Sequence, residues 1–140
     1  MKRVLAIIIC ASLLVQGGAL AHEGEMHEAH KDDPYMQKLH DMMPKYAIAS
    51  TKLETALEKK DVAAVEAEAG KMLATVSQLK KSKPHKNLSQ LKTYRSIAAS
   101  FERDLKETVE LAKKGDFAKS YTTFKNVEAK CAECHAKFRD

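Results

Sequence analysis

A chain of 140 residues has room for one domain with one modest core. Its formal charge of +5 falls to +3 once Lys2 and Arg3 are set aside, leaving 22 basic against 19 acidic residues, so charge points to neither a nucleic acid nor a membrane as partner. No residue constellation suggests hydrolysis or group transfer.

Residues 1–21 read as a secretory signal. Lys2 and Arg3 form its positive start, Val4 to Val15 its apolar run, and Ala19-Leu20-Ala21 a small-residue cleavage site. The apolar run is too short for a permanent membrane anchor. Cys10 lies inside it and would leave with it; Ile7-Ile8-Ile9 lacks the small residues that lipidation wants. The expected location is the periplasm. Residues 22–33 are polar, without apolar periodicity, and read as a flexible arm. His22, His27 and His30 within it could hold a transition metal loosely, although nothing preorganises them.

From residue 34 onward the periodicity is helical, and four segments emerge. Segment A spans about 34–60, with Asp33 as cap and Pro34 in the first turn. Its apolar face is Met36, Leu39, Met43, Tyr46, Leu53 and Leu57, with Ser50 as a small member. Pro44 should kink this helix or mark its true start after Asp41. Segment B opens on Asp61 and runs to about Lys80, with Val62, Val65, Ala69, Met72, Val76 and Leu79 on one face. A basic loop follows, with Pro84 and a solvated His85; it could dock an acidic redox partner or be a plain turn. Segment C starts near Asn87 and ends before Gly115, with Leu88, Leu91, Tyr94, Ala98, Phe101, Leu105, Val109 and Ala112 inward. Segment D opens on Asp116 and carries Phe117, Tyr121, Phe124, Val127, Cys131, Cys134 and Phe138 on one stripe. Four amphipathic segments with short connections predict an all-α domain over 34–140: an antiparallel, up-down-up-down four-helix bundle. The start of A then lies beside the end of D.

Segment D ends on Cys131-Ala132-Glu133-Cys134-His135, the Cys-x-x-Cys-His spacing of covalent haem c. Two thiols add across the porphyrin vinyl groups as thioethers, and the adjacent imidazole becomes the proximal iron ligand. On a helix these side chains share one face. A redox disulfide would want a βαβ setting, and a structural zinc site would want more ligands. With both mature cysteines on haem, no structural disulfide is left. The two haem propionates would bring the mature chain close to neutral. Tyr94 and Phe101 should pack against the porphyrin or its neighbours.

A single Cys-x-x-Cys-His at the end of an exported four-helix chain, followed by Lys137-Phe138-Arg139, resembles the class II cytochromes c: cytochrome c-prime and its low-spin, methionine-ligated relatives. The resemblance covers about residues 34–140. It implies His135 as proximal ligand, Arg139 in the proximal pocket, redox proteins of the periplasm as partners, and homodimers paired through segments A and B. It also implies one of two functions. A Met from segment A gives six-coordinate iron and a one-electron carrier. An apolar residue there gives five-coordinate iron that binds nitric oxide or carbon monoxide. The family's interval from the A–B turn lands near Tyr46, with Met43 one turn earlier on the same face. Met43 is therefore the first candidate for distal ligand and Met42 the next, ahead of Met36 or His40; no protein ligand is the remaining option.

Overall fold

The helix ends follow from local chemistry at two connections that use the same device. The computed structural model describes residues 34–139. The first helix, α1 (Pro34–Glu58), ends with Lys60 at φ 55°; its N–H bonds the Leu57 carbonyl at 3.1 Å, and the Asp61 N–H reaches back to Ala56 at 2.9 Å. Asp61 then caps α2 (Val62–Leu73) by accepting from the Ala64 N–H at 3.0 Å. The pattern recurs after α4 (Leu91–Lys113): Gly115 at φ 79° bonds Ala112, Asp116 reaches Leu111, and the Asp116 side chain accepts from Lys119 to start α5 (Phe117–Phe138). Each pair of bonds consumes helix carbonyls that would otherwise be orphaned, and each Asp serves two helices.

The expected segment B is divided. It consists of α2 and a short α3 (Val76–Lys81), separated at Ala74-Thr75. The cause comes from another helix. The buried Tyr46 of α1 donates its hydroxyl to the Met72 carbonyl at 2.9 Å, and Thr75 Oγ1 donates to the Tyr46 oxygen at 3.1 Å. A side chain inserted at a carbonyl breaks the ladder there. After α3 the chain does not simply cross solvent. Ser82 and Pro84 are buried, and the Ser82 hydroxyl lies 2.7 Å from the Tyr94 hydroxyl. Leu88 to Gln90 form one 3₁₀ turn before α4, entered through Asn87 at φ 59°. This turn puts Leu88 outward, 40% exposed, which corrects its expected inward place.

Pro44 lies inside an unbroken α1, so this helix starts before Asp41. It cannot donate to the His40 carbonyl, but one missing bond in a 25-residue helix is outweighed by the burial of its apolar face. The described residues are all-helical, with no strand, and form one core. Leu53, Val65, Leu105 and Phe124 are its centre, one each from α1, α2, α4 and α5, all at 0% exposure. Removing such a side chain down to Ala costs about 2–5 kcal/mol. The α4–α5 pair has the most extensive contact, followed by α1–α2. Tyr94 near the start of α4 meets Phe138 at the end of α5, edge to face at 5.3 Å. Ser120, near the start of α5, donates to the Thr108 carbonyl near the end of α4 at 2.6 Å. The leader and the histidine arm lie outside the described residues.

Lys60 holds the left-handed conformation with a side chain, whereas Gly115 does so without one. Lys60→Gly should therefore stabilise the fold by about 1 kcal/mol, read as a raised urea midpoint at constant slope.

Candidate functional site

The buried stripe of α5 passes through Phe124 and Val127, continues at Cys131 and Cys134, and closes on Phe138, in steps of three and four. Thiols are much smaller than the aromatic rings at either end of that stripe. The same cavity is lined by Ala98 of α4 and Ala47 and Ser50 of α1, which are also small. The helices cannot close over so little volume, and a cavity of about 710 Å³ is left between α1, α4 and α5. That is the size of a small-molecule or cofactor site, about 300–1,000 Å³. Sealed and empty, it would cost on the order of 17 kcal/mol at about 24 cal/mol per Å³, more than the whole stability of such a domain. The space must hold a ligand or admit water, and exposed His40, Pro44, Ala47 and Arg139 stand on its rim.

The three motif residues line one wall together. Cys131, Cys134 and His135 all border the cavity and are half-buried, and the two cysteines are not joined in a disulfide. Burial pushes the Cys131 thiol up, with Glu128 adding to it. Cys134 is pushed up to about 11, chiefly by burial, then by Cys131 and Glu133. His135 moves the other way: burial first, then the nearby positive charge of Arg139, hold its pKa below the usual range. Its imidazole is therefore neutral at pH 7, the form that ligates a metal. Among the described residues, no three His, Cys, Asp or Glu side chains converge on a common point as a metal cage. The motif faces a cavity instead.

The candidates on α1 separate cleanly. Met43 is half-buried and lines this cavity. Met42 is buried more deeply, at 5% exposure, and borders a different, smaller recess between α1 and α2–α3. Met36 and His40 reach the main cavity nearer the start of α1. Tyr46 and Phe101 line it as a stacked pair, centroids 5.6 Å apart. The Tyr46 hydroxyl donates to the Met72 carbonyl, and burial raises its pKa. Tyr94 is pushed up to about 12 by burial and stays a neutral donor or acceptor to Ser82. Arg139 lies on the rim, where its charge acts on His135.

Sequence reasoning missed the wall supplied by the chain after α3. Pro84 and His85 both border the cavity, and His85 stacks on His40 with centroids 5.0 Å apart. This corrects the expected solvated His85. A Pro beside a His in a basic loop was the available hint, but the loop's burial depends on the Ser82–Tyr94 contact, which no local pattern announces.

In the chain with free thiols, these pKa directions predict slow alkylation. Cys134 reactivity should rise with a midpoint near pH 11, giving roughly a hundredfold less thiolate at pH 8 than an ordinary cysteine. Because the folded pKa lies above the unfolded one, the associated stability is full below about pH 8.5 and is lost as pH rises toward the folded value. Iodoacetamide rates and urea midpoints against pH check both; a reactivity midpoint near 8.5 would put the thiol in water. Comparison with protein-family models, with curated proteins and with solved structures finds no match to this chain.

Proposed function

We propose that the protein is an exported mono-haem c-type cytochrome that carries one electron in the periplasm, working with redox proteins rather than as an enzyme. One observation supports this above the others: Cys131, Cys134 and His135 of α5 line the same apolar cavity as Met43 of α1. The donor set fits haem c. Two neutral thiols three residues apart are placed for thioether attachment, and a neutral imidazole next to them is placed as proximal ligand. When bound, haem supplies the one-electron iron couple. The chain's own residues set its environment. Met43 is the candidate distal ligand, Tyr46 and Phe101 provide an apolar stacked floor, and Arg139 adds positive charge near His135. Burial and axial chemistry together tune the potential.

The bundle reads as antiparallel and up-down-up-down. The Tyr94–Phe138 and Ser120–Thr108 contacts favour that path for α4 and α5. The shared cavity favours bringing the start of α1 to the end of α5. This arrangement and the terminal motif carry the likeness to class II cytochromes c. Pairing of two copies through α1 and α2–α3 belongs to the same likeness.

Met43→Ala should convert a low-spin spectrum to high-spin, lower the potential, and let carbon monoxide bind the ferrous protein. Ferric and ferrous optical spectra with and without the gas make the test. If the unaltered protein is already high-spin and takes up the gas, Met43 only packs, and the gas-binding alternative with five-coordinate iron replaces the electron carrier.

A further inference from the structure

We infer that His40 and His85, which border the main cavity, form a site for a divalent late transition-metal ion made of residues other than the Cys-x-x-Cys-His motif. The two residues are 45 positions apart, yet their Nε2 atoms are 3.1 Å apart. The rings lie within 12° of parallel with centroids 5.0 Å apart, and the closer Nε2 atoms share a hydrogen bond whose proton a bound ion would displace. With metal–nitrogen bonds of about 2.0–2.1 Å, a 3.1 Å separation subtends an angle of about 100° at a shared ion, between square-planar and tetrahedral values. Imidazole nitrogen suits copper, nickel and zinc, and the ordering of affinities favours Cu²⁺.

Both ligands are held from behind. His40 sits within α1, a helix anchored by buried Met36, Leu39 and Met42. His85 is carried on a short segment fixed by buried Ser82 and Pro84, and by the Asn87 side chain, which donates to the Lys137 carbonyl. Such preorganisation is what separates this pair from histidines on a polar arm. His40 is exposed, so water can enter and fill the remaining coordination positions. Two imidazoles from rigid elements, with solvent for the rest, make an open site.

Cu²⁺ titrated into the purified full-length protein tests it, with electron spin-echo spectroscopy counting the coupled imidazoles. The expected result is one ion held by two imidazoles, with His40→Ala and His85→Ala each leaving one and weakening binding at least tenfold. Replacing His22, His27 and His30 together should leave that site intact. The inference fails if the unaltered protein shows fewer than two imidazoles on copper. It also fails if both single substitutions leave affinity unchanged, as binding at the cysteines or on the arm would.

Discussion

Small side chains facing each other across three helices control this structure. Cys131 and Cys134 pack half-buried against the core on α5, and Ala98, Ala47 and Ser50 line the same cavity. Close-packed interiors do not tolerate voids much larger than water. Here the surrounding helices stay apart because the rest of the core holds them there: Leu53, Val65, Leu105 and Phe124 are fully buried beyond the cavity. The stacked Tyr46 and Phe101 line it. The cavity is thus a consequence of which residues are missing from the stripe as much as of which are present. A large, flat, apolar group attached at the two thiols would fill that volume and supply the contacts the small side chains leave out.

That dependence links packing to chemistry. Burial raises both thiol pKa values and lowers that of His135, so the same desolvation keeps all three groups neutral. A neutral imidazole beside two protonated thiols is suited to ligation after thioether formation. It is poorly suited to thiolate nucleophilic chemistry, which needs a depressed thiol pKa. On the α1 side, a single-residue step of about 100° around the helix divides two adjacent methionines between separate recesses, Met43 to the main cavity and Met42 to the smaller one. That division makes Met43 the residue to ask about first.

What local chemistry dictates was legible from the residues alone. Asp61 and Asp116 cap helices, Gly115 ends one, and most of the three-four stripes run through the core, although Met42 and Ala49 take the buried places expected of Met43 and Ser50, and Val62, Leu88 and Leu91 are not buried. What depends on contacts between distant segments was not. The break in segment B needs Tyr46 to reach the Met72 carbonyl from another helix. Lys60 adopts a backbone conformation that its residue type disfavours, held by the two return bonds to α1. Met42 looked like a neighbour in competition with Met43, yet it is the more deeply buried of the two. The pairing of His40 with His85 spans a loop whose burial rests on Ser82 and Tyr94. The motif itself was fully visible; the cavity it faces was not, because a void is a property of several helices and the chain between α3 and α4 together.

The central claim is that Cys131 and Cys134 hold haem covalently. Protein purified after expression with haem-attachment machinery, extracted with acidified acetone and redissolved, gives the most direct test through its visible spectrum in alkaline pyridine. The account predicts that the haem bands stay with the chain, and that Cys131→Ala/Cys134→Ala loses them to the solvent. A chain that comes through extraction with no haem bands and two titratable thiols would contradict it.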